Sequence, residues 1–124
     1  MNEIAAVVPI RDDGTRLAAI LINEGTPQSV EVPIPDVLRA VLAAGCRSFV
    51  LTHTHPSGSL RPSQADMDLT RTYLKAATWL GMLLVDHVIE GPSGELSMTA
   101  AGYLAPLPSA AIPLTIAAHT EEKA

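Results

Sequence analysis

The chain has 124 residues, 48% of them apolar and 17% charged, with a formal net charge of −5. That length suits one domain around one core, and the apolar share excludes a disordered chain. Its eight basic residues (Arg11, Arg16, Arg39, Arg47, Arg61, Arg71, Lys75 and Lys123) fall singly, so the clustered cations that displace phosphate counterions are missing, which argues against nucleic-acid binding by this chain alone.

In chain order, "EIAAVVPI" (3–10) is apolar and β-branched enough for a buried strand, and "RDDG" turns it. "RLAAILIN" (16–23) is its predicted hairpin partner, broken by "EGT". "SVEVPI" (29–34) alternates weakly and reads as a short edge strand closed by prolines, where a second copy of the chain could pair to give a homodimer. From Asp36 the spacing becomes helical: Val37, Leu38, Val41 and Leu42 form one stripe, with Pro35 at the entrance and Gly45 past the end. Cys46 is the one cysteine, so no intrachain disulfide forms, and it reads as a small buried hydrophobe. "RSFVLTH" (47–53) is a predicted central strand. A loop (54–62) carries Pro56, Gly58 and Pro62, and 63–80 is the strongest helix, ended by Gly81. "MLLVDHVIE" (82–90) and "ELSM" (95–98) are strands around a "GPSG" turn, and "TAAGYL" a short helical turn.

Main elements in the order strand, strand, helix, strand, helix, strand, strand give an α/β (α+β) layered fold with a mixed sheet and two helices. Residues 1–104 form the expected domain, and the Pro- and Ala-rich residues 105–124 an extension. No apolar run approaches the roughly 20 residues that span a bilayer. The N-terminal residues lack a basic leader region, so no membrane association and a cytoplasmic location are expected.

The chemistry concentrates in "THTHPSGSLRPSQAD" (52–66). His53 and His55 are two apart at a strand end, so both imidazoles can face one side. Asp66 falls in the first turn of the following helix, where its carboxylate can face back. Two imidazoles, one carboxylate and an open position match a catalytic zinc site, whereas structural sites fill all four positions, usually with cysteine. The bland reading is that Ser63 caps the helix and Asp66 completes a capping box. The two uses are compatible, because a capped helix start is a rigid mount for a ligand. Asp86-His87 reads as a structural hydrogen-bonding pair, Trp79 as core and His119 as solvated.

The stretch His53 to Asp66 fits His-(Ser/Thr)-His, seven residues, Ser, two residues, Asp. It resembles the JAMM signature of MPN-domain metalloproteases, and the wider segment from Arg11 to Tyr103 resembles the RadC-like branch of that family. The resemblance implies the MPN/JAB (cytidine-deaminase-like) three-layer fold, with a curved mixed sheet flanked by helices. It implies a zinc ion on His53, His55 and Asp66, Ser63 as the oxyanion partner, and hydrolysis of an amide or isopeptide bond in a peptide or isopeptide-linked protein. Such proteins usually carry a helical DNA-binding-type module that this chain lacks. The family's general-base glutamate precedes a Gly-Thr break; counting back from Gly25 to its position gives Ile20, with Glu24 and Glu31 nearby. A slipped register or a bulge could bring Glu24 to the site as the base, and its other reading is a solvated turn residue. Without that base the chain would be a metal-binding interaction module, the second reading, while a DNA-repair accessory role rests on the family's name alone.

Overall fold

A computed structural model describes residues 1–104; the predicted 105–124 extension and His119 lie outside the described residues. Five strands and two helices follow the expected order: β1 (Ile4–Ile10), β2 (Ile20–Glu24), α1 (Ile34–Ala43), β3 (Ser48–Thr54), α2 (Gln64–Trp79), β4 (Leu83–Gly91) and β5 (Gly94–Ser97). They form one mixed sheet in the order β2-β1-β3-β4-β5. β3 and β4 run parallel, joined through α2, and the other neighbours pair antiparallel. The mixed α/β architecture agrees with the fold expected from the sequence.

Alternation along the strands, with a register shift in β4 between Leu84 and Asp86, sends Val7, Phe49, Leu51, Leu84 and Ile89 to one face, all nearly inaccessible. α1 lays Val37, Leu38 and Val41 against them, and α2 adds Tyr73, Leu74 and Ala77. Each large apolar side chain buried there contributes about 1.5–3 kcal/mol relative to exposure. With so few aromatics, one pair carries extra weight: Phe49 meets Tyr73 edge-on at 6.4 Å between centroids. Cys46 is buried among the same residues, as the sequence suggested. Trp79 is not core: it is 66% exposed at the end of α2. No described helix is long and apolar enough to cross a membrane.

Two strand expectations change. β2 begins at Ile20 rather than Arg16; upstream, Arg16 forms only an isolated bridge with Ile10. Pro9 explains the gap. Its carbonyl accepts from Leu17 N–H at 2.9 Å, and in an antiparallel ladder the missing Pro9 N–H would have pointed to that same side. Residues 29–34 form no strand. Pro33 and Pro35 lack N–H groups, α1 already starts at Ile34, and the Glu31 and Val32 carbonyls accept from the Asn23 amide and the Tyr73 hydroxyl. The edge predicted for pairing with a second copy is therefore absent from this segment.

The site-bearing ends are well anchored. Pairing of β3 with β4 continues past Thr54, since His55 N–H donates to Glu90 O at 2.7 Å. The turn beyond it uses Gly58 at φ +89°, a left-handed conformation that L side chains rarely adopt. α2 then opens with both halves of a capping box. Ser63 Oγ accepts from Asp66 N–H at 3.0 Å, and an Asp66 carboxylate oxygen accepts from Ser63 N–H at 2.8 Å.

Candidate metal centre

Three segments meet at the C-terminal end of β3. His53 is 4% exposed on the core-facing side of the strand, and His55 follows on the same side. Their Nε2 atoms lie 2.8 Å apart. Asp66 reaches back from α2 and straddles them, with one oxygen 3.1 Å from His53 Nε2 and the other 3.2 Å from His55 Nε2. The structure thus brings together the His53, His55 and Asp66 side chains that the sequence singled out, and Ser63 lines the same cleft.

A second carboxylate arrives from the N-terminal end of the chain. Glu3 is 9% exposed, and one carboxylate oxygen lies within 4.8 Å of ring nitrogens of both His53 and His55, a grouping able to hold a metal ion. β1 and β3 pair antiparallel with Ala5 opposite His53, so one strand period further out Glu3 falls opposite His55. Its backbone is fixed on the other side, where Glu3 N–H donates to Thr26 O and Gly25 N–H donates to Glu3 O. Gly25 is required for that path: a Cβ there would sit 2.1 Å from Ser29 O. Among the described residues, no side-chain hydrogen bond engages the Glu3 carboxylate.

Sequence reasoning missed Glu3 and named Glu24 instead. Glu24 is not brought to the cluster: it is exposed at the end of β2, where its carboxylate accepts from the Asn2 amide at 2.9 Å. Ile20 is also remote. It pairs with Val7, two strand periods from Glu3 and so about 13 Å along β1, and packs against the core. A signal for Glu3 was present: it has the same strand parity as Ala5 and Val7, an acid pointing inward at the end of a buried strand.

The chemistry of the donor set bears directly on a divalent ion. His55 Nδ1 faces the Ser59 main-chain carbonyl at 2.8 Å. A carbonyl only accepts, so Nδ1 carries the proton and Nε2 presents its lone pair to Asp66. Burial raises the Asp66 carboxyl, but the His53 imidazole and Ser63 N–H beside it outweigh that and hold it well below the usual carboxylate range. It is therefore ionised at neutral pH. A tetrahedral zinc ion would separate its ligand atoms by roughly 3.3 Å. The imidazole nitrogens lie 3.1 and 3.2 Å from two different Asp66 oxygens but 2.8 Å from each other, so the two rings would have to part by about half an ångström to share an ion. Imidazole nitrogens and carboxylate oxygens suit zinc and its first-row neighbours, so the residues fit the group.

Behind His53 lies a buried polar chain. His53 Nδ1 is 2.7 Å from His87 Nε2, and His87 Nδ1 is 2.6 Å from Thr70 Oγ. Burial, chiefly, pushes the His87 imidazole down to about 4, so it is neutral near pH 7. The expected Asp86-His87 pair takes a different form. Asp86 accepts from the main-chain N–H of His87 and Thr99 and from the Ser97 hydroxyl, securing the turn after β5, while the His87 ring points toward His53.

In front of the cluster opens a cleft of about 550 Å³, with residues 27–32 along one wall and the 55–61 loop along the other. Arg61 is the one cation among the residues lining it.

The family model described as "RadC-like JAB domain" matches residues 2–103. A UPF0758 protein of Gloeothece citriformis is 38% identical over 97 residues, which is 78% of this chain and 40% of that protein. UPF0758 proteins of Azotobacter vinelandii (39% identical, 71% of this chain, 39% of the relative) and Ruegeria pomeroyi (42%, 64% and 36%) are also similar. The chain thus spans about two fifths of the length of these curated relatives.

Proposed function

The chain belongs to the RadC-like JAB domain family, and from that premise we propose that it is a zinc-dependent hydrolase of amide or isopeptide bonds, with His53, His55 and Asp66 as metal ligands. One observation carries the reading: Asp66 contacts both imidazole Nε2 atoms at hydrogen-bond distance while Glu3, a second carboxylate, stands beside them with no side-chain hydrogen bond among the described residues. A divalent ion held by His53, His55 and Asp66 would supply a Lewis acid and lower the pKa of water from 15.7 toward about 7.

The protein's own groups have separable tasks. Glu3 accepts a proton from a water molecule in the cleft and returns it to the leaving nitrogen, a role that needs a carboxylate near the metal but free of it. Ser63 Oγ is engaged as an acceptor by Asp66 N–H, which leaves its hydroxyl hydrogen to donate to the oxyanion that develops on the scissile carbonyl. The cleft takes an extended peptide between the 27–32 wall and the 55–61 loop. The alternative, a metal-binding interaction module without turnover, drew its support from Ile20; Glu3 in the cleft weakens that support.

Metal content and hydrolysis of peptide and isopeptide-linked substrates test the proposal together. Wild type is expected to retain about one equivalent of zinc, and His53→Ala and Asp66→Asn to lose it. Glu3→Gln should keep the metal and lower turnover about 10²–10⁴-fold, while Glu24→Gln changes neither. Zinc bound with no turnover on any substrate would favour the interaction module. Loss of zinc in Glu3→Gln would make Glu3 a ligand instead of the base.

A further inference from the structure

Metal affinity at this centre depends on which nitrogen of His53 carries its proton, because only a bare Nε2 can donate a lone pair to an ion. We propose that Thr70 and His87 form a buried relay that holds the His53 proton on Nδ1, making both of them positioning residues for the metal. The inference rests on the metal-site reading above and extends it to two residues that touch neither ion nor substrate.

The direction of the relay follows from its far end. Thr70 Oγ lies 2.7 Å from the main-chain carbonyl of Asp66, one helical turn earlier on α2. That carbonyl can only accept, so the single hydroxyl hydrogen points to it, the common back-bonding geometry of a helical threonine. Oγ then offers only lone pairs to His87 Nδ1, 2.6 Å away, which must supply N–H. His87 Nε2 is left without hydrogen and accepts from His53 Nδ1–H across 2.7 Å. His53 Nε2 therefore faces Asp66 and His55 with its lone pair free.

Reversing the relay is unfavourable at the Thr70 end. Thr70 would donate to His87, and two oxygens would face each other at 2.7 Å with no hydrogen between them. At the other end His53 Nε2–H would donate to Asp66, leaving no lone pair for an ion. His87 is 1% exposed and Thr70 2%, so solvent has no room to satisfy the mismatch at Thr70. The relay also starts at the peptide carbonyl of Asp66, tying the orientation of one proposed ligand to the helix that carries another.

Imidazole nitrogen NMR on the metal-free chain at alkaline pH reads the tautomer directly. Wild type is expected to show His53 as the Nδ1–H form; an Nε2–H form overturns the proposal whatever the metal does. Thr70→Val keeps the shape but removes the hydroxyl, so the His87 proton is no longer held on Nδ1 and His53 should shift toward Nε2–H. Zinc affinity, measured by competition with a chromophoric chelator, should fall about 10–100-fold in Thr70→Val and return near wild type in Thr70→Ser. Unchanged affinity and tautomer in a folded Thr70→Val would sink the relay. If Thr70→Val does not fold, the wild-type tautomer and Thr70→Ser still decide the matter. Failure of wild type to bind zinc would instead count against the metal-site reading, leaving the tautomer measurement to judge the relay.

Discussion

His87 carries a pH dependence that a surface histidine would not. Its ring is pushed from 6.5 down to about 4, chiefly by burial. The unfolded chain therefore takes up this proton near pH 6.5, while the native chain resists until about pH 4. Across that window the unfolded state binds more protons, so stability falls as the pH falls. For Asp66 the shift is downward too, but for an acid: its stabilisation is present above the unfolded value of 3.8 and is lost as the pH drops below it. The two losses come in sequence, histidine first. Denaturant midpoints of the metal-free chain should show a decrease of about 2 kcal/mol from pH 7 to pH 5 through His87, and a shallower decrease in His87→Gln. Equal slopes would mean that His87 is not held neutral. At this scale the sequence was legible where the residues lay within one short stretch: spacing together with the family resemblance singled out His53, His55, Ser63 and Asp66, which the structure brings to one cleft. Glu3 could not, because it lies fifty residues from His53 and only strand pairing brings it near. Glu24, adjacent to the Gly-Thr break, was the nearest acid by count and faces away.

α2 is the element on which the site depends. Its first turn holds Asp66 through two reciprocal hydrogen bonds with Ser63, and its next turn starts the Thr70 relay. Ser63 therefore has a structural task and a proposed chemical one, and a suitable substitution separates them. Asparagine caps a helix about as well as serine but has no hydroxyl to place at the oxyanion. Ser63→Asn should melt within a few degrees of wild type and bind metal normally, yet turn substrate over about 10²–10³-fold more slowly. Ser63→Ala should in addition lose about 1 kcal/mol of stability. If Ser63→Asn retains full turnover, Ser63 is a cap and nothing more. Elements with strong periodicity or explicit caps, such as α1, α2 and β3, were readable from sequence. Those decided by backbone hydrogen bonding were not: the gap before β2 traces to the absent N–H of Pro9, and 29–34 lost its strand to prolines and to the competing Asn23 and Tyr73 donors.

For the whole molecule, the centre joins parts that folding must bring together: the end of β3, the start of α2 and the residue preceding β1. An ion held by His53, His55 and Asp66 binds the native arrangement and only weakly the unfolded chain, so ligation and folding are linked. Saturation at a hundred times the dissociation constant adds about 2.7 kcal/mol. In a domain of about a hundred residues each kcal/mol raises the melting temperature by about 4–8 °C, so zinc should raise it by on the order of 10 °C or more. A chelator should reverse the rise. Because unfolded histidines and Cys46 also attract zinc and would reduce the effect, the informative comparison is between variants. His53→Ala should show little or no rise, whereas Glu3→Gln, which keeps all three proposed ligands, should rise as wild type does. A rise in His53→Ala equal to that of wild type would place the ion elsewhere. A rise lost in Glu3→Gln would move Glu3 from proton acceptor to ligand, and with it the balance between hydrolase and binding module.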